Sequence, residues 1–138
     1  MKFLLDTNAW IKILNQQASP IQDRFLLMSP SDIAICSIVK SELYFGAYKS
    51  TRRNTNLDLL MTLFAQFKSL DFDDEAAEIC GNIRAQLATL GTPIGPYDLQ
   101  IAGIAISNNL ILVTHNTKEF SRITGLRIED WELYCERS

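Results

Sequence analysis

The sequence predicts an α/β domain, with a mostly parallel central sheet of four to five strands and helices on both faces. Two observations carry that expectation. Short apolar runs without polar alternation, Phe3-Leu4-Leu5, Ile33-Ala34-Ile35-Cys36 and Leu110 to Thr114, suit strands buried on both faces. Between them, apolar residues recur at three- and four-residue steps, as on helices that cover a sheet. Strands alternating with helices connect by right-handed crossovers, which favour parallel pairing.

Taken in order, the first run ends abruptly at Asp6-Thr7-Asn8. A short helix is expected over residues 9–15, with Asn8 as its N-cap. Ser19-Pro20 reads as an N-cap with proline at the first helical position, opening a helix over 21–27 that Pro30 closes off. After the second strand, Ser37 is expected to cap a helix from Ile38 to about Tyr48, with Gly46 in its weakening last turn. A further helix spans 54–67, with Leu59, Leu60, Leu63, Phe64 and Phe67 as its apolar face. Lys68-Ser69-Leu70 is a short third strand. Asp73 caps the longest helix, which runs to about Leu90 with Asp74 and Glu75 favourably in its first turn. Its stripe is Ala76, Ile79, Cys80, Ile83, Leu87 and Leu90, and Gly91 is its stop. Thr92 to Pro96 is a rigid loop. The helix over 97–108 is apolar almost all round after Asp98, so it belongs in the interior. Residues 110–114 form the fourth strand, and 125–131 supply an edge strand.

At 138 residues the chain suits one domain, taken as residues 1–138, with a core of its own. Its 47% hydrophobic and 21% charged residues are an ordinary globular balance. No apolar run reaches the length of a bilayer span, and the N-terminus lacks signal-peptide shape. The three cysteines, Cys36, Cys80 and Cys135, fit neither a disulfide framework nor a zinc spacing, so a reducing cytoplasm is expected. The net charge of −3 hides an asymmetry: residues 1–70 carry 8 Lys and Arg against 5 Asp and Glu, residues 71–138 carry 5 against 11. The basic excess is densest at Lys40, Lys49, Arg52 and Arg53. These residues are either a solvated helix surface or a face for a phosphate backbone.

Three acidic residues stand out. Asp6 follows a buried strand directly, where a carboxylate is costly without partners. Glu42 sits one turn into a helix among Ile38, Leu43 and Phe45. Asp98 opens the apolar helix. All three fall near the carboxyl side of the sheet, where α/β folds place their ligands. Taken singly, Asp98 reads equally as a dipole partner and Glu42 as an exposed helix residue. Taken together, like charges in a low-dielectric cleft need a cation to stay ionised, and all-oxygen ligands favour Mg²⁺ or Mn²⁺. Thr114, His115, Asn116 and Thr117 cluster after the fourth strand on the same edge. Thr114 or Asn116 suits the metal shell or the orientation of a water, and His115 has no assigned role. Ser37 suits either a cap or a phosphate contact.

Four blocks then carry a resemblance: Leu4-Leu5-Asp6-Thr7-Asn8, Ser37 to Leu43, Pro93 to Ala102 and Val113 to Phe120. In this order and at these spacings the chain resembles the PIN-domain ribonucleases, and among them the VapC toxins of type II toxin–antitoxin systems. The tail Gly125 to Trp131 is similar to the branch that cleaves initiator transfer RNA. The resemblance implies metal ligation by Asp6, Glu42 and Asp98, and metal-assisted phosphodiester hydrolysis that leaves 5′-phosphate and 3′-hydroxyl ends. It also implies a homodimer and a VapB-type antitoxin that places a basic side chain in the acidic pocket. Many of these domains carry a fourth acidic residue where this chain has Asn116, which weakens a second metal position. Lys49, Arg52 and Arg53 would hold the RNA backbone, and Ser37 and Thr114 are further candidates for RNA contact. A haloacid-dehalogenase-type phosphatase needs an aspartate where Asn8 stands. A receiver-like module needs paired acidic residues and a lysine that are missing here. A PIN domain that binds RNA without cutting it is the remaining alternative.

Overall fold

The structure, a computed structural model, describes residues 1–133; Cys135 lies outside them. Five strands form one sheet: β1 (Phe3–Leu5), β2 (Ile33–Cys36), β3 (Lys68–Leu70), β4 (Ile111–Val113) and β5 (Ile128–Glu129), in the order β3-β2-β1-β4-β5. Every pairing is parallel. All three residues of β1 and all four of β2 are buried, which explains why their sequences show no alternation.

Seven α-helices cover this sheet among the described residues: α1 (Thr7–Leu14), α2 (Pro20–Leu26), α3 (Ser37–Lys49), α4 (Arg53–Phe64), α5 (Asp74–Leu90), α6 (Pro96–Ser107) and α7 (Thr117–Phe120). Local signals set several of their ends. Ser19 Oγ accepts the Gln22 N–H at 3.3 Å, and Asp73 Oδ1 accepts the Ala76 N–H at 2.9 Å. Gly91 closes α5 in the left-handed conformation, φ 68°, where a Cβ would be strained.

Other ends differ from the sequence reading. Asp6, not Asn8, caps α1: its backbone is extended and its Oδ1 accepts the Ala9 N–H at 2.9 Å. Ser37 is the first residue of α3, and Cys36 holds the cap position without a side-chain bond. Pro30 opens a 3-10 turn over Pro30–Asp32. The helix expected to Phe67 stops at Phe64, and the edge strand contracts to two residues. Leu59 and Leu90 lie on their helices' apolar sides by spacing, yet they are 56% and 70% exposed. Periodicity fixes a face and not how far the neighbouring layer extends to cover it.

The interior helix is α6, with Leu99, Ile101, Ala102, Ile104 and Ala105 all buried. It packs closely on α5 because Gly103 has no side chain. A Cβ at Gly103 would stand 2.8 Å from the Ala76 carbonyl oxygen and 3.2 Å from Cys80 Cβ. Gly103→Ala is therefore expected to push the two helices apart at a cost of about 1–3 kcal/mol. In urea this reads as a lower unfolding midpoint with an unchanged slope.

The sheet order places a topological switch between β1 and β4. From β1 the chain winds outward through β2 to β3, then crosses to β4 on the opposite side of β1. Crevices at such points, beyond the carboxyl ends of the strands, are where α/β sheets hold ligands.

Candidate active site

Asp6 and Thr114 are the residues that leave β1 and β4 at this switch. The Asp6 N–H donates to the Val113 carbonyl at 3.1 Å, continuing the ladder by one bond. Both side chains are buried, at 7% and 1% exposure. Asp6 thus has two jobs: one oxygen caps α1, and the carboxylate also takes a hydrogen bond from the Thr114 side chain. Burial nonetheless pushes its pKa up, against those two bonds, and the charges of Glu132 and Glu42 add to the rise.

Asp98 lies in the first turn of α6, at its N-terminus. Its pKa is raised to about 6, first by burial and then by the charges of Asp6, Glu119 and Glu42. The Thr7 hydroxyl donates to Glu42 Oε1 at 2.7 Å, tying α3 to the first turn of α1 and holding the Glu42 carboxylate in one orientation. The structure therefore brings Asp6, Glu42 and Asp98 into one shared field, although they come from β1, α3 and α6. Their ligand-type oxygens do not all lie within 4.8 Å of one another; among the described residues the group that meets this spacing is a neighbouring one, His115, Asp130 and Glu132.

Asn116 caps no backbone group with its side chain. Its amide donates to Glu119 Oε2 at 3.0 Å, and its own N–H donates to Thr114 Oγ1 at 3.0 Å. Glu119 is the acidic member that sequence reading missed. It lies on the four-residue α7, three positions beyond Asn116, and its charge reaches Asp98. The only sequence signal was that spacing in Asn116-Thr117-Lys118-Glu119, too short to reveal a helical turn. A cavity of about 390 Å³ borders this edge, lined by Asp6, Asn8, Lys12, His115, Asn116 and Glu132 among others.

The basic residues are not part of this cluster. Ser37 is half-buried at the start of α3, while Lys49, at its other end, is exposed, as are Arg52 and Arg53 beyond it. A 13-residue helix puts its ends about 18 Å apart. Lys49 rests against the Phe45 ring, 5.8 Å from its centroid, and Arg53 Nε donates to the Tyr48 carbonyl at 3.0 Å. Along α3, Lys49 lies seven residues from Glu42, a rise of about 10 Å.

Comparison with known proteins agrees with this fold. The family model for the PIN domain matches residues 3–126. The chain is 46% identical to the tRNA(fMet)-specific endonuclease VapC of Salmonella typhimurium, over 95% of this chain and 98% of that protein. It is 43% identical, over the same shares, to the protein of the same name from Shigella flexneri. The crystal structure of DNA-bound VapBC from Salmonella typhimurium superposes with a TM-score of 0.88 at 45% identity, covering 95% of this chain and 98% of that one. No helix among the described residues is long and apolar enough to cross a membrane. Acidic residues gathered at the switch point of a five-stranded parallel sheet, with a sequence match along nearly the whole length, place this chain in the PIN-domain family, in its VapC branch.

Proposed function

We propose that the chain is a Mg²⁺- or Mn²⁺-dependent endoribonuclease that hydrolyses a phosphodiester bond of transfer RNA in the cytoplasm, with initiator transfer RNA as its substrate. The observation that carries this reading is the crowding of the half-buried Asp98 by the carboxylates of Asp6, Glu119 and Glu42 at the switch point of the sheet. Such crowding is unfavourable at neutral pH unless a cation offsets it, and an all-oxygen donor set suits a hard divalent ion. Held by Asp6, Glu42 and Asp98, that ion would acidify a bound water and neutralise charge on the scissile phosphate. The remaining steps belong to the chain. Thr7 keeps Glu42 from swinging away, and Thr114 fixes the Asp6 carboxylate. Asp98 is crowded by burial and by neighbouring carboxylates, and a bound dication would offset that crowding and keep it ionised. Asn116 acts by holding Glu119, so the fourth acidic group is Glu119 and the amide does not make the site a binding-only one.

The printed names of the two relatives support the choice of initiator transfer RNA. The VapBC complex supports a VapB-type antitoxin as partner. So does a cavity of about 360 Å³ beside Glu42, lined mainly by Ile11, Leu14, Leu43, Ala47, Leu59 and Leu60. An apolar antitoxin segment seated there would cover the exposed Leu59 and reach the acidic pocket with a basic side chain. A homodimer completes the assembly we envisage.

The reading is tested with purified protein and initiator transfer RNA. Cleavage is expected to stop in EDTA and return with Mg²⁺ or Mn²⁺, giving 5′-phosphate and 3′-hydroxyl ends. Full cleavage in rigorously chelated buffer would overturn it. Ser37, Lys49, Arg52 and Arg53 are proposed to hold the RNA backbone. Reversing both arginines, Arg52→Glu with Arg53→Glu, is expected to weaken RNA binding and to reduce the slope of log affinity against log salt by about 1–2. An unchanged slope would move the RNA surface elsewhere.

A further inference from the structure

We propose that His115, Asp130 and Glu132 form a second cation site, on the same edge as the Asp6–Glu42–Asp98 group and bordering the same cavity as Asp6, for a borderline transition ion such as Zn²⁺. The His115 Nδ1 atom lies 2.9 Å from Asp130 Oδ2 and 3.5 Å from Glu132 Oε2. Ligands at about 2.1 Å from a tetrahedral ion stand about 3.4 Å apart; the two His115 separations bracket that value, and all three ligand atoms lie within 4.8 Å of one another. One imidazole nitrogen with two carboxylate oxygens selects zinc, cobalt or manganese over magnesium.

The arrangement is held from outside. Asp130 has its other oxygen, Oδ1, engaged by the Glu132 N–H at 2.9 Å. Glu132 has its other oxygen, Oε1, paired with the Lys12 ammonium on α1. Each carboxylate is thus anchored through one oxygen while the second faces His115. Anchoring of this kind orients the ligands of metal sites. Asp130 and Glu132 flank Trp131, which is 1% exposed and keeps this stretch of backbone in place. The two carboxylates outnumber the single lysine, leaving a negative field for a dication. In the structure Nδ1–H donates to Asp130, so an ion binding at Nδ1 would displace that proton and leave the neutral ring protonated at Nε2, and the 60% exposure of the His115 side chain leaves the ring accessible. A bound ion would tie the β4–α7 loop, which carries Asn116, to the segment after β5.

The chain has one histidine, so its ring protons are an unambiguous probe. Zn²⁺ is titrated into the Asp6→Asn/Asp98→Asn protein, in which the other pocket is disabled, and the imidazole signals are followed by proton NMR. They are expected to shift and saturate at one ion per chain. Glu132→Gln is expected to weaken that binding by about 10–100-fold. In calorimetry, His115→Gln, a change at an exposed side chain, is expected to remove one Zn²⁺ per chain. Ring signals that stay unmoved, or the same zinc affinity in Glu132→Gln, would reduce the trio to a plain ion-pair network and overturn the proposal. Because the readout is zinc on an imidazole, it stands or falls apart from RNA cleavage.

Discussion

Asp98→Asn is expected to lower RNA cleavage by about 10³-fold or more, roughly 4 kcal/mol of transition-state stabilisation, while the fold persists. The substitution keeps the shape of the side chain and removes the charge proposed to hold the metal. Asp6→Asn is expected to act alike, and its fold should survive because asparagine also caps helices well. The loss of function should come with a gain in stability. The Asp98 pKa is about 6 in the folded protein against an ordinary 3.8. Between those values the folded state binds more protons than the unfolded one, so stability falls as pH rises through that window. At neutral pH the ionised carboxylate therefore opposes folding. Asp98→Asn should melt higher than the parent at pH 7, with the gap closing towards pH 4. Comparing melting curves at both pH values, beside single-turnover cleavage rates, checks both halves. Retained cleavage, or a lower melting point at neutral pH, would contradict the assignment. Metal affinity should also weaken below about pH 6, because the cation competes with the Asp98 proton.

Trp131→Ala is expected to cost about 3–5 kcal/mol, among the largest single losses in the molecule. Trp131 is 1% exposed and meets the Phe3 ring edge to face at 5.0 Å between centroids. The Arg24 guanidinium sits 5.4 Å from its ring, and its indole N–H donates to Glu129 Oε1 at 3.1 Å. The alanine variant loses ring burial, an aromatic pair and a cation–π contact together. It also leaves the two-residue β5 without its clamp. Urea unfolding followed by circular dichroism gives the size of the loss. A change below about 1 kcal/mol would show that this region is anchored by other contacts.

What the sequence disclosed follows the range of each physical signal. β1 and β2 were legible because burial on both faces writes itself as an unbroken apolar run. Ser19, Asp73 and Gly91 were legible because a cap acts within a few residues of its own position. Asp6 stood out because an acid after such a strand has few inexpensive environments. The misplaced cap at Asn8 shows the same signal read too late: Asp6 already supplied the oxygen for α1, so the helix began sooner. Leu59 and Leu90 were assigned to the core because spacing reports a helix face and not the reach of its neighbours. Glu119 was missed because its link to Asp98 crosses from α7 to α6 through space, and no local pattern encodes that. The choice of Asp6, Glu42 and Asp98 as proposed ligands, remote in sequence, rests on family resemblance as much as on residue chemistry.

The packing of Trp131 on Phe3 joins a residue near the start of the chain to one made 128 positions later. Synthesis is vectorial, and domains begin to fold from the segment that emerges first. Until residues 128–132 have emerged, β1 has no indole against it, β4 lacks its outer neighbour, and the wall formed by Glu132 has yet to arrive. The acidic edge of the sheet therefore closes only after the other strands have been made.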